Sequence, residues 1–175
     1  MTKANLPKLI LTDIDGVWTD GGMYYDENGN ELKKFNTYDS AGVLFAKMLG
    51  IPCGIVSGEE SESTKTRAQK LKIKYIFTGV KNKVKIIEDL LVKLNINWNE
   101  VAYIGDDIND FMVLKKVGIS ACPSSAPYYI KEIVDWALIK SGGEGVFREF
   151  VEKILKENKI DIKSLILSDN LFYDQ

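Results

Sequence analysis

Residues Leu9-Ile10-Leu11-Thr12 form an almost unbroken apolar run that stops at Asp13-Ile14-Asp15-Gly16. A strand without polar alternation is buried on both faces, which is the habit of parallel sheets covered by helices. The same grammar recurs downstream. Pro52–Val56 runs into Ser57-Gly58, and Val101–Ile104 runs into Gly105-Asp106-Asp107. Tyr75–Phe77 and Ile119–Ala121 read as further strands. Between them lie helical segments at Ala41–Leu49, Glu60–Leu71, Lys81–Leu94, Asp110–Lys116, Tyr128–Ile133 and Val146–Lys156. In Lys81–Leu94, residues Val84, Ile87, Leu91 and Leu94 recur at helical spacing. Strands alternating with helices predict an α/β fold: a doubly wound, mostly parallel, Rossmann-like sheet with helices on both faces. Asn28-Gly29, between Met23–Tyr25 and Glu31–Phe35, predicts a β-hairpin at about 22–36, inserted after the first strand. The 175 residues read as one domain, 1–175, whose tail at 160–175 has no place in the pattern.

Composition narrows the chemistry. The net charge of -2 offers no basic field, which argues against nucleic acid and anionic membrane as partners. No apolar run approaches membrane-spanning length, and no signal-type segment is visible, so the cytoplasm is the expected location. Cys53 and Cys122 sit in apolar segments and read as buried free thiols. The chain has no histidine, which removes Ser-His-Asp and Cys-His catalysis and makes a zinc site a poor fit. Acid–base work then falls to carboxylates or lysine, and a metal would be oxygen-ligated, which points to Mg2+.

In a parallel sheet the loops after the strands fall on one edge. That edge would gather Asp13 and Asp15, Ser57 and Gly58, Asp106, Asp107 and Asp110, with Lys83 near the start of a helix. Side chains two apart in a strand share a face, so Asp13 and Asp15 could meet one ligand, with a cation or a shared proton to relieve their repulsion. Carboxylates, a hydroxyl and an ammonium together suit phosphoryl transfer. A carboxylate can attack phosphorus, while lysine, hydroxyl, backbone N–H groups and metal offset charge on the phosphoryl oxygens. Ser57-Gly58 entering a helix would add N–H donors for an anion.

The segments DIDGVWTDG (from Asp13), VSG (from Val56), Lys83 and GDDIND (from Gly105) resemble the four ordered motifs of the haloacid dehalogenase superfamily. The hairpin, the lack of room for a cap domain and the GGEGVFRE segment (from Gly142) are similar to its capless branch, the phosphatases of 3-deoxy-ulosonate sugar acids. The resemblance implies a Mg2+-dependent phosphatase working through an aspartyl phosphate. Asp13 would be the nucleophile. Asp15 would protonate the leaving sugar oxygen and then deprotonate the attacking water. Asp13, Asp106 and the Asp15 backbone carbonyl would hold the metal. Ser57, Gly58 and Lys83 would grip the phosphate, with Asp107 and Asp110 behind them.

The resemblance also implies a homotetramer in which a neighbouring subunit closes the site. Octulosonate phosphatases commonly have arginine after the second-motif glycine, whereas this chain has Glu59. With Trp18 and the SAPYYI segment from Ser125, that glutamate favours the nine-carbon substrate, 2-keto-3-deoxy-nononate 9-phosphate, over the eight-carbon 3-deoxy-octulosonate 8-phosphate. Arg67 and Lys70 would meet the sugar carboxylate, and Glu59 its hydroxyls.

The non-enzyme alternative is a phosphoacceptor receiver domain. Receivers place their lysine last, whereas Lys83 precedes Gly105-Asp106-Asp107 here. Trp18, Tyr24, Tyr25 and Phe35 read as interface or hairpin packing. The Gly142–Gly145 loop reads either as a turn or as a segment that closes over substrate.

Overall fold

The computed structural model describes residues 6–168. In chain order its elements are β1 (Leu9–Thr12), β2 (Tyr24–Tyr25), β3 (Glu31–Leu32), α1 (Asp39–Met48), β4 (Cys53–Val56), α2 (Glu62–Lys70), β5 (Tyr75–Phe77) and α3 (Lys83–Leu94). There follow β6 (Val101–Ile104), α4 (Phe111–Leu114), β7 (Ile119–Cys122), α5 (Tyr128–Lys131), β8 (Trp136–Ala137), α6 (Val146–Glu157) and α7 (Ile162–Ser168). The main sheet has the order β5-β4-β1-β6-β7-β8, and every neighbouring pair in it is parallel.

The unbroken apolar runs are explained by two cores, one on each face. Ile10 packs on one side with Ile55, Ile104, Trp18, Phe147 and Phe150. Leu9 and Leu11 point to the other, with Tyr103, Ile87, Leu91 and Val113. Alternate residues of one strand serve opposite faces, so Leu9, Ile10 and Leu11 are all apolar, and Thr12, where β1 ends at the site, is buried with its hydroxyl hydrogen-bonded. Cys53 and Cys122 are buried free thiols, as expected.

The hairpin is smaller than its sequence suggests, with two residues in each strand. Its turn is set locally. Asp26 accepts from the N–H of Asn28 and of Asn30, both at 2.8 Å, and Gly29 takes φ +80°. With no third strand to pair with, the ladder stops where the turn's influence ends.

Two elements escape the sequence pattern. β8 is only two residues, too short for periodicity to show, and is fixed by pairing with Ala121 and Cys122. α7 lies within the tail, where Ile162 and Leu165 pack against the α1–α6 core. The rest of the tail, 169–175, lies outside the described residues. Among the described residues no helix is long and apolar enough to cross a membrane.

Candidate active site

From β1 the chain passes to β4 and β5 on one side of the sheet, then returns to lay β6, β7 and β8 on the other. Beyond the C-terminal ends of β1 and β6 the two directions part, and there a crevice opens. Asp13 extends the ladder into it, its N–H donating to the Ile104 carbonyl at 3.0 Å. A cavity of about 240 Å3 follows, lined by Asp13, Asp15, Gly58, Glu59, Asp106 and Asp107 among others.

The loop after Asp13 is pinned from behind. Trp18 Nε1 donates to Thr12 Oγ1 at 3.0 Å, and that hydroxyl donates to the Asp13 carbonyl at 2.7 Å. The Trp18 ring tilts against Phe147, with centroids 4.8 Å apart, and is fully buried. Trp18 is therefore a core residue beneath the site and not an interface residue. Gly16 is required by two conditions together. Its φ is +80°, and a Cβ there would lie 1.9 Å from Asp106 Oδ2. The Gly142–Gly145 loop packs on the same segment. A Cβ on Gly142 would lie 2.0 Å from the Gly16 carbonyl oxygen, and Gly143 N–H donates to the Val17 carbonyl at 2.9 Å.

Lys83 opens α3 and is buried between two acids. Its Nζ is 2.9 Å from Asp13 Oδ1 and 2.7 Å from Asp110 Oδ1. Tyr103, on β6, donates its hydroxyl to the same Asp110 oxygen. Asp110 Oδ2 accepts from the N–H of Asp106 at 3.0 Å and of Asp107 at 3.5 Å. A Cβ on Gly105 would meet the Asp110 carboxyl at 2.4 Å, so the glycine makes room for this fold-back. Asp110 thus ties Lys83 to the loop that carries Asp106.

The electrostatics follow from crowding. Burial pushes the Asp13 carboxyl well above the usual range, and Asp110 and Asp106 push it further, against the pull of Lys83. Burial, then Asp110 and Asp107, lift Asp106 to about 7. Burial opposes the Lys83 charge, but Asp13 and Asp110 outweigh it and hold its pKa above the ordinary value.

Asp13, Asp106 and Asp110 bring one carboxylate oxygen each within 4.8 Å of one another. One lysine leaves this trio with excess negative charge, and a divalent cation fits it. The oxygens of Asp110 are already committed to Lys83, Tyr103 and two N–H groups. Asp13 Oδ2 and the Asp106 carboxylate have no side-chain partner among the described residues, so they are the natural ligands.

The remaining expected residues divide. Ser57 is fully buried beside Gly58, but α2 begins only at Glu62 and is capped by Ser61, whose hydroxyl accepts from Thr64 N–H at 3.4 Å. The expectation that Ser57-Gly58 enters the helix directly is therefore corrected. Asp107 is exposed and accepts from Tyr129 OH at 3.0 Å. Glu59 lines the cavity, whereas Arg67 and Lys70 do not. Arg67 buries Nε and Nη2 with no hydrogen-bond partner among the described residues, in the field of Asp39, and Lys70 is exposed at the end of α2.

Lys33 was not anticipated. It reaches from the hairpin to Asp15 Oδ1 at 2.5 Å and to Glu31 Oε1 at 2.8 Å. Its one sequence signal is a lysine two residues from a glutamate in Glu31-Leu32-Lys33-Lys34-Phe35, the spacing that puts the two on one face of an extended chain.

A doubly wound sheet with an acid–lysine–acid cluster at its reversal point defines an enzyme of phosphoryl transfer. The chain belongs to the haloacid dehalogenase-like hydrolases, whose family model matches residues 57–150, and is a phosphoric monoester hydrolase. It is 36% identical over 162 residues to the 3-deoxy-D-manno-octulosonate 8-phosphate phosphatase of Salmonella typhi, covering 92% of this chain and 86% of that one. The structure is similar to the Moraxella catarrhalis enzyme of that name, solved with magnesium ion, phosphate ion and a KDO molecule. The TM-score is 0.89 at 32% identity, over 95% of each chain. It also resembles the cobalt-bound Haemophilus influenzae phosphatase, with a TM-score of 0.88 at 33% identity, covering 95% of this chain and 100% of that one.

Proposed function

We propose that this chain is a Mg2+-dependent phosphatase of a 3-deoxy-ulosonic acid, with 3-deoxy-D-manno-octulosonate 8-phosphate as its substrate. The observation that carries the reaction type is Lys83 held between Asp13 and Asp110, with Asp106 across the crevice. The relatives, matched over nearly the whole chain, support the eight-carbon sugar ahead of the nine-carbon one expected from Glu59, Trp18 and the SAPYYI segment from Ser125. Trp18 is buried and cannot read a sugar, whereas Glu59 lines the cavity and still speaks for 2-keto-3-deoxy-nononate 9-phosphate.

In this reading Asp13 attacks phosphorus and Asp15 gives a proton to the departing sugar oxygen. Water then attacks the aspartyl phosphate, Asp15 takes the proton, and phosphate leaves. Lys83, Ser57 and the Gly58 N–H hold the phosphoryl oxygens. Asp13, Asp106 and the Asp15 carbonyl would hold the metal, which supplies charge stabilisation on the phosphoryl group. Asp110 and Asp107 keep these groups in place.

The neighbouring subunit of a tetramer would complete the site. Met23, Tyr24, Tyr25 and Leu32 expose apolar surface on a hairpin that is marginal alone. Lys70 is exposed and lies outside its own chain's cavity, so as a carboxylate ligand it would serve a neighbour's, whereas Arg67 turns its guanidinium inward toward Asp39. Steady-state kinetics on both sugar phosphates, with magnesium and with chelator, tests the reading. The expected result is higher kcat/KM for the octulosonate, no turnover in chelator, and none for Asp13→Asn. Preference for the nononate would restore the reading from Glu59, and an active Asp13→Asn would remove the mechanism.

A further inference from the structure

Lys33 lies just beyond β3 and its side chain is 2% exposed. A lysine is almost never buried unless paired, and this one is paired twice, with Asp15 and Glu31. It does not line the cavity, and both of its partners are carboxylates, so it is not placed as a phosphate ligand. What it holds is one oxygen of Asp15. Thr19 Oγ1 donates to that same oxygen, Oδ1, at 3.5 Å. Asp15 Oδ2 has no protein partner among the described residues, and Asp15 lines the cavity.

We infer that Lys33 is a positioning residue for proton transfer by Asp15: it holds Oδ1 so that Oδ2 carries the proton to the leaving oxygen. The inference rests on Asp15 being the acid and base of the reaction. In the first step the proton leaves Oδ2 as the bond between phosphorus and the ester oxygen breaks. The electron pair of that bond goes to the oxygen, and Asp15 becomes a carboxylate. The charge that develops falls beside the Lys33 ammonium, an interaction stronger in the transition state than before it. In the second step the proton of the attacking water returns to Oδ2. Glu31 is the other half of the device, because it holds Nζ 2.8 Å away and keeps the ammonium from swinging toward a bound phosphate. The hairpin is therefore part of the chemistry as well as surface for a neighbour.

The test is dependence on the leaving group. A sugar alkoxide must be protonated as it departs, whereas p-nitrophenolate leaves without help. The quantity to compare is kcat/KM, which covers the steps up to the aspartyl phosphate. For Lys33→Met with magnesium, kcat/KM should fall at least about tenfold on 3-deoxy-octulosonate 8-phosphate and less than about threefold on p-nitrophenyl phosphate. Equal losses on the two substrates, or no loss, would overturn the inference, since a merely structural lysine affects both alike. Asp15→Asn separates the two readings. If it shows no leaving-group bias, the acid–base reading itself fails. If it shows the bias and Lys33→Met does not, only the role of Lys33 falls. Circular dichroism confirms folding, and Lys33→Gln replaces the methionine variant if that one does not fold.

Discussion

At the scale of single residues, the site depends on close approaches that side chains would block. Gly16 is the sharpest case. Alanine there must adopt a left-handed backbone, which disfavours it by about 1–2 kcal/mol, and its Cβ would displace the Asp106 carboxylate. Displacing a reacting group by about 1 Å lowers rates by about a hundredfold. Gly16→Ala should therefore lose about that much kcat while its circular dichroism spectrum stays that of the parent. Activity within about threefold of the parent would mean that Asp106 is not needed where it stands. This residue was legible as part of Asp-x-Asp-Gly, but its reason was not, because Asp106 lies far away in sequence. Tyr103 and Lys33 were hidden for another reason: each lies nearer its partner in sequence, but only the turn of the chain between them makes the pair meet. Each looked like an ordinary strand or hairpin residue until the fold brought it to Asp110 or Asp15.

At the scale of elements, α1 and α6 meet N-terminus to N-terminus through Asp39. Its carboxylate accepts from the Arg148 N–H at 3.2 Å, in the first turn of α6, while Oδ2 is buried with no partner among the described residues. Burial raises its pKa to about 6, against the lowering pull of the Arg148 and Phe147 N–H groups and of Arg67 and Lys140. The unfolded value is about 3.9, so the neutral form is favoured by folding, by about 3 kcal/mol at about 1.4 kcal/mol per unit. That contribution is complete below about pH 4 and lost as pH rises through about 6. Asparagine keeps an acceptor for Arg148 and never ionises. Relative to the parent, Asp39→Asn should gain stability between pH 4 and 7, by up to about 3 kcal/mol, read from urea unfolding at each pH. A constant difference across that range would show that Asp39 does not titrate in the folded chain. The helices themselves were visible in the sequence wherever an apolar face repeats, as in α3 and α6. The segment read as Asp110–Lys116 shortens to α4, Phe111–Leu114, because Asp110 turns its carboxylate back to the Asp106 loop and does not cap the helix.

At the scale of the whole molecule, strands buried on both faces dictated the parallel sheet, and the parallel sheet put the acids on one edge. That much was readable because apolar runs ending in polar residues are a local pattern. The order of strands was not readable, since it depends on which helix covers which face. The consequence of that order is a concentration of charge. Asp13 and Asp106 are both held above the usual carboxylate range, Asp106 at about 7, by burial and by each other's neighbours. In chelator the folded state therefore favours their neutral forms. The stability that the neutral Asp106 provides is present below the unfolded carboxylate value and is lost as pH rises through about 7, and Asp13, raised by burial, acts in the same sense.

A divalent cation reverses the sense of the repulsion, and at a hundredfold excess over its Kd adds about 2.7 kcal/mol to folding. Because the ligands must shed their protons to bind it, its apparent affinity should weaken below pH 7. The Asp39 contribution runs from about pH 4 to 6 whether or not metal is present, so the Asp39→Asn chain isolates the site. In that background, Tm in chelator should fall between pH 6 and 8. With saturating magnesium it should be higher throughout and should no longer fall. If Tm is unchanged by magnesium at pH 8, where both carboxylates are most ready to bind, the acids of this crevice do not form a cation site.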